Sequence, residues 1–166
     1  MLVVDFGRIP NNANRDAGFA AVLGRGFDEP AVVMALGYDG YRELDNVGNG
    51  GDGGEAEVIV PRVSNYTLPI ARGGKGGDAT HDGGPPHGGG KGGNAYIDTT
   101  GPTSSGLACG GRGGTSLAST SEMWPGWPGG QGGKGEIFAG RGSGMTSFVG
   151  QYLARGGDGG WGGNGA

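Results

Sequence analysis

Apolar side chains in the first part of the chain come in short, valine-rich runs, Leu2–Phe6 and Ala31–Leu36, each bounded by Gly, Pro or Asp. Runs of this length and composition predict strands. Between them two patterns overlap. Phe19, Ala20 and Leu23 would share one helical face that Gly24 could stop, while the alternation from Ala17 to Val22 fits a strand. Residues 1–47 read as a small, mostly β module or arm, of a size that leans on a partner for stability. Residues 55–70 predict a β-hairpin, with Val58–Val60 as one arm, Tyr66–Ile70 as the other and Ser64-Asn65 as the turn. Pro61 and Pro69 cannot donate to a ladder, which places both arms at edges or ends.

At Gly48 the apolar pattern gives way to glycine. The pentad Gly-Gly-x-Gly-Gly occurs six times, at 50–54, 73–77, 89–93, 110–114, 129–133 and 156–160, centred on Asp52, Lys75, Lys91, Arg112, Gln131 and Asp158. In a left-handed extended helix with three residues per turn, this spacing leaves two faces bare and puts side chains on the third. Such a helix has no internal hydrogen bonds, so its N–H and C=O groups must pair sideways or with water. The predicted fold is therefore mostly irregular or β. It comprises a bundle of polyglycine II helices over residues 48–166 with one β-hairpin, preceded by the small β module. Its scaffold would be Gly51, Gly53, Gly74, Gly76, Gly90, Gly92, Gly111, Gly113, Gly130, Gly132, Gly157 and Gly159.

Composition sharpens this picture. Glycine supplies 45 of 166 residues, all but six of them from Gly48 onward, and only 34% of the chain is hydrophobic, so a second conventional core is not expected. Ordering a glycine costs about 0.5–1 kcal/mol more than ordering an alanine. Dense N–H···O and Cα–H···O contacts between segments would have to offset that. Trp, Ile, Phe and Tyr recur between the pentads and argue against a plain flexible linker. Successive pentads start 23, 16, 21, 19 and 27 residues apart, which reads as rods joined by inserts of free length and not as a solenoid of fixed repeat.

A net charge of −4 points away from wrapping nucleic acid or an anionic membrane, and Arg72, Lys75, Lys91, Arg112, Lys134, Arg141 and Arg155 read as a solvated basic edge. A single cysteine, Cys109, makes no internal disulfide and reads as a small buried hydrophobe. No basic and apolar leader and no membrane-length apolar run is visible, so synthesis in a cytoplasm without a signal peptide is expected. Lys75 and Lys91 follow glycines but lack the Ser or Thr of a phosphate loop. His81, Asp82 and His87, with Asp78 near, lack the second ligand pair of a zinc site. With two histidines and no triad setting, neither an enzyme nor a cofactor is expected. The remaining candidate chemistry is aromatic: Trp124-Pro125-Gly126-Trp127-Pro128 holds two large rings on a stiff turn, suited either to recognition or to capping a glycine bundle.

The stretches Gly-Gly-Asp-Gly-Gly-Glu-Ala-Glu-Val-Ile-Val, Tyr-Thr-Leu-Pro-Ile-Ala-Arg-Gly-Gly-Lys-Gly-Gly-Asp, Gly-Gly-Asn-Ala-Tyr-Ile and Cys-Gly-Gly-Arg-Gly-Gly resemble the glycine-rich domain of tailed-bacteriophage minor tail proteins. The resemblance covers about residues 48–114 well and the rest loosely. The pentads are also similar to the polyglycine sandwich of T-even-like distal tail-fibre adhesins. That resemblance implies a virion structural protein whose glycine runs are scaffold and whose inserts at 78–88, 115–128 and 136–155 face the host. Candidate host-contact residues are then Trp124, Trp127, His81, His87, Tyr96 and Phe148. It also implies tail-protein partners through residues 1–47, homo-oligomers in the particle, and no nucleic-acid or membrane partner. Two alternatives are an ice-binding glycine bundle, which wants short Thr, Ala or Val where this chain has charges, and a glycine-rich matrix protein.

Overall fold

A computed structural model describes residues 1–10, 15–24, 31–43, 48–60, 67–81, 87–99, 105–118, 128–139 and 151–162. Among these the chain is mostly β, with eleven strands: β1 Leu2–Phe6, β2 Ala20–Leu23, β3 Ala31–Leu36, β4 Ala56–Val60, β5 Thr67–Arg72, β6 Ala79–His81, β7 Ala95–Thr99, β8 Gly106–Cys109, β9 Ser116–Ala118, β10 Gly135–Ala139 and β11 Tyr152–Arg155. They form a five-stranded sheet ordered β1-β3-β5-β8-β11, a four-stranded sheet ordered β10-β7-β4-β2, and the pair β6-β9. Every strand pairing is parallel.

The expected hairpin is absent. β4 lies between β2 and β7 in one sheet, and β5 lies between β3 and β8 in the other. The physical reason is that the chain crosses from one sheet to the other between β4 and β5, so their inward side chains, Val58 and Ala71 among them, meet across the shared core and the two strands do not pair edge to edge. Pro69 sits in a central strand, and pairing with β8 begins one residue beyond it, at Ile70. Of the two readings for residues 17–23, the strand is observed. Strands from either side of residue 47 share sheets, β2 with β4 and β3 with β5.

Successive strands of the two large sheets alternate between them, so each strand's neighbours are its second-nearest relatives along the chain. Contacts between adjacent layers accordingly span 36, 37, 39 and 40 residues. The chain is thus a two-row coil whose step runs from 30 residues between β1 and β3 to 46 between β8 and β11, in keeping with the expectation that no one fixed repeat applies. Consecutive pentads are unevenly spaced because they belong to opposite rows, and it is alternate pentads that repeat.

The two large sheets pack face to face through small side chains. Ala31, Val33, Ala35, Ala71 and Ala108 from one meet Ala20, Val22, Ala56, Val58, Ala95 and Ile97 from the other in a single buried cluster. Alanine dominates because each strand continues directly into, or out of, a glycine segment, and close-set glycine rows keep the sheets close.

Candidate functional site

The glycine half is built from one hydrogen-bonding rule. The second and fifth residues of each pentad donate across the rows: Gly74 N–H to Gly54 O at 2.8 Å and Gly77 N–H to Gly51 O at 2.7 Å, then Gly111 N–H to Gly93 O and Gly114 N–H to Gly90 O, both at 2.8 Å. First and fourth residues donate along a row, as Gly73 N–H does to Cys109 O at 2.9 Å and Gly76 N–H to Arg112 O at 2.8 Å. Segments run parallel within a row and antiparallel across rows, since Gly51 bonds Tyr41 while Gly54 bonds Tyr38. The expected sideways pairing of the pentads is therefore present, with a period of three residues.

Central residues of the pentads point outward, and the N–H groups of Asp52, Lys75 and Lys91 are taken up by carboxylate side chains of the preceding layer. Asp52 N–H donates to Asp16 Oδ1 at 2.8 Å, Lys75 N–H to Asp39 Oδ1 at 2.8 Å, and Lys91 N–H to Asp52 Oδ1 at 2.7 Å. Asn94 Oδ1 does the same for Lys134 N–H at 2.9 Å. These acids and amides satisfy outward backbone donors that would otherwise depend on water. Tyr38-Asp39-Gly40-Tyr41, which lacks the pentad pattern, still takes a full place in its row, with Gly40 N–H on Lys75 O at 2.7 Å. The preceding segment is locked on by Arg15, whose Nη1 lies 3.0 Å from the buried Glu43 Oε2 and 3.2 Å from Asn49 O.

At the far end of one row, Asp78 accepts two hydrogen bonds from Lys75 Nζ, at 2.9 and 2.8 Å, and one from Thr115 N–H at 2.7 Å. Burial pushes its pKa up, but the hydrogen bonds from Lys75 and Thr115, with the charges of Lys75 and Arg42, outweigh this and hold it below the ordinary value. A carboxylate whose pKa is depressed in the fold stabilises above its unfolded pKa, and that contribution is lost as pH falls through the folded value. We expect thermal unfolding of the wild type to lose stability as pH drops below about 4. Asp78→Asn should melt lower at neutral pH and change less across that acid window; parallel pH profiles for the two proteins would exclude this role.

The candidate contact residues are not gathered into one place. His81 ends β6 and pairs with Ala118 of β9. His87 is half-buried near these strands, its carbonyl accepting from Ser116 Oγ at 2.8 Å. Tyr96 lies elsewhere, half-buried on the outward face of the four-stranded sheet with its ring centroid 5.1 Å from that of Phe138. Trp124, Trp127 and Phe148 fall outside the described residues. The insert at 136–155 is not all loop, because most of β10 and all of β11 lie within it.

A feature not singled out from the sequence is an open groove of about 1120 Å³ where the five-stranded sheet passes into its glycine row. Arg42, Arg72, Arg112 and Arg155 line it together with Phe6 and Tyr38, whose rings are 6.2 Å apart. Of the expected basic edge, Arg72, Lys75, Arg112 and Arg155 line this groove beside the carboxylates Asp39 and Asp158, whereas Lys91 and Lys134 belong to the other row and Arg141 lies outside the described residues. Such a surface can hold acidic groups flanked by apolar ones. Among the described residues no group of three or more His, Cys, Asp or Glu side chains is placed to hold a metal. Comparison with protein-family models, curated proteins and solved structures finds no match to this chain.

Proposed function

We propose that the six pentads are polyglycine II helices and that the protein is a non-enzymatic structural component of a tailed-bacteriophage particle, a stiff scaffold in or near the tail tip from which inserts reach the host. The observation that carries this reading is the three-residue period of the lattice. Two of every three residues donate to neighbouring segments and the third projects a side chain, as required of a helix with three residues per turn and no internal hydrogen bonds. An experimental structure with pentad φ near about −75° and ψ near about +145° is the expected result. Values in the pleated β range would remove the polyglycine assignment.

A lattice held at every layer by backbone bonds is suited to bearing load and presenting segments, not to the movements of a catalytic cycle. The outward positions of the rows, Asp39, Lys75, Arg112 and Asp158 on one and Asp16, Asp52, Lys91 and Gln131 on the other, are almost all charged, which favours a solvated or protein-facing role over ice binding. The insert that follows β9 in the chain carries Trp124 and Trp127 on a proline-stiffened turn. Rigid rings supply contact area at small entropic cost. Trp124→Ala with Trp127→Ala is expected to reduce adsorption of particles to host cells at least tenfold while particle yield and composition stay normal. Normal adsorption by correctly assembled double-mutant particles would refute the receptor role, and loss of assembly would assign the rings to virion structure instead.

A further inference from the structure

Where the preceding layer carries Asp or Asn at the matching place, its side-chain oxygen accepts an outward backbone N–H: Asp16 for Asp52, Asp39 for Lys75, Asp52 for Lys91 and Asn94 for Lys134. The row that lines the basic groove breaks this rule twice. Arg112 follows Lys75 and Asp158 follows Arg112, and neither lysine nor arginine has an acceptor to give. The N–H groups of Arg112 and Asp158 accordingly find no acceptor among the described residues. Of the two, Arg112 N–H is the more open. The Lys75 side chain that stands before it leans away to Asp78, three residues further on, with Nζ 2.8 Å from Oδ2. Around this donor the charge is positive. Arg72 and Arg155 flank Cys109 in register and stand three residues before Lys75 and Asp158, so the three-residue period puts them on the surface that Arg112 occupies. All three arginines are exposed and none pairs with a described carboxylate. Of the acids lining the groove, Asp39 is already engaged by Lys75 N–H and Asp158 lies one layer beyond Arg112. The other row supplies the contrast. Gln131 follows Lys91 and its N–H is equally unmet, but Asp16, Asp52 and Glu55 line that side and repel an anion.

We propose that this groove docks an acidic segment of a partner protein, with one carboxylate taking at Arg112 N–H the place that Asp39 and Asp52 fill in other layers. The chain's own contacts are the template, since each of those aspartates meets its backbone donor through Oδ1. Arg72 and Arg155 reinforce the contact, because a charge-assisted hydrogen bond is about twice as strong as a neutral one. Clusters of arginine are a recurrent means of reading acidic motifs. The apolar lining narrows the occupant further. Phe6, Leu36 and Leu107 border the arginines and accept the apolar side chains of a polypeptide between its acidic ones. The hydroxyls of an acidic glycan would be buried against the same three residues without partners, at a cost in free energy. This inference stands independently of any role in a phage particle.

The test uses the full chain and a decapeptide of alternating aspartate and leucine, followed by nuclear magnetic resonance and amide hydrogen exchange. In the free protein the Arg112 and Gln131 amides should exchange faster than those of Asp52, Lys75 and Lys91, which are hydrogen-bonded. The peptide should shift and protect the Arg112 amide and leave Gln131 unchanged, and added salt should weaken it. Arg72→Ala with Arg155→Ala should weaken binding about tenfold or more. Two substitutions of one residue isolate the backbone donor. Lys75→Asn and Lys75→Met both lose the contact with Asp78, but only asparagine supplies an oxygen for Arg112 N–H, as Asn94 does for Lys134. Lys75→Asn should therefore protect the Arg112 amide without peptide and weaken the peptide about tenfold, whereas Lys75→Met should bind it as the wild type does. No binding by the wild type, equal binding by the two Lys75 variants, or equal protection of Gln131 and Arg112 would each overturn the proposal. Tighter binding of a galacturonate oligomer of the same charge would overturn the choice of a polypeptide.

Discussion

Gly111→Val is expected to remove cooperative folding at temperatures where the wild type is intact, and Gly132→Val to do nearly the same. A Cβ on Gly111 would overlap the carbonyl of Gly74 in the same row, and one on Gly132 would overlap the carbonyl of Gly157 in the opposite row. In a lattice whose segments are joined by direct backbone bonds, the rows can move apart only by breaking those bonds. Each buried donor or acceptor left unpaired costs about 1–3 kcal/mol. Two or three such losses cost roughly 2–9 kcal/mol, a large part of the whole stability of a small domain. None of these glycines lies in the left-handed backbone region, so the requirement is for space and even Gly111→Ala should be damaging.

The same geometry supplies the controls. At the last layer a Cβ on Gly156 would find its nearest neighbour at 3.5 Å and one on Gly159 at 3.7 Å, both ordinary contacts. Gly156→Ala and Gly159→Ala should therefore be neutral, or stabilising by up to about 1 kcal/mol through the unfolded chain. Gln131 projects outward and is exposed, so Gln131→Ala should stay within about 0.5 kcal/mol. Melting curves for this set test the lattice directly; equal midpoints for Gly111→Val, Gly132→Val and Gln131→Ala would contradict it.

What could be read from the chain beforehand follows the range of the forces involved. Leu2–Phe6 and Ala31–Leu36 coincide with β1 and β3 because composition within a strand is a local signal. The pentads likewise declare their bare faces and their outward third residue. Pairing was not legible in the same way. Val58–Val60 and Tyr66–Ile70 flank turn residues as a hairpin would, yet their partners lie 36 to 39 residues away in opposite sheets. Summing neighbouring pentad intervals gives 39, 37, 40 and 46 residues, close enough to suggest that alternate pentads stack, and with them Arg72 and Arg155 on one face. The place of Tyr38–Tyr41 in the lattice had no local signal, because Asp39 and Tyr41 earn it only through partners such as Lys75 and Arg15.

Ile97→Ala should be the most damaging single truncation in the sheet half. Ile97 heads the fully buried side chains in volume, and it sits in β7 between Val58 of β4 and Ile137 of β10. Around it the core is largely alanine and valine, so no neighbouring side chain is long enough to collapse into the space it leaves. Truncations of this kind cost about 2–5 kcal/mol, whereas Ile97→Val should cost about 0.5–1.5 kcal/mol. Leu23→Ala, at a position 72% exposed, should cost less than about 0.5 kcal/mol. The opposing sheet offers a sharper test. A Cβ on Gly106 of β8 would lie 3.7 Å from Ile97 Cδ1 and 3.3 Å from the ring of Tyr152, which belongs to an edge strand and can shift by a few tenths of an ångström. Gly106→Ala should therefore put a methyl into the cavity left by Ile97→Ala and recover about 0.8 kcal/mol, the value of one buried methylene. In wild type the same change should bring no gain. Thermal unfolding of the two single variants and the double variant measures this coupling, and strict additivity would mean that Ile97 and Gly106 do not meet across the sheets.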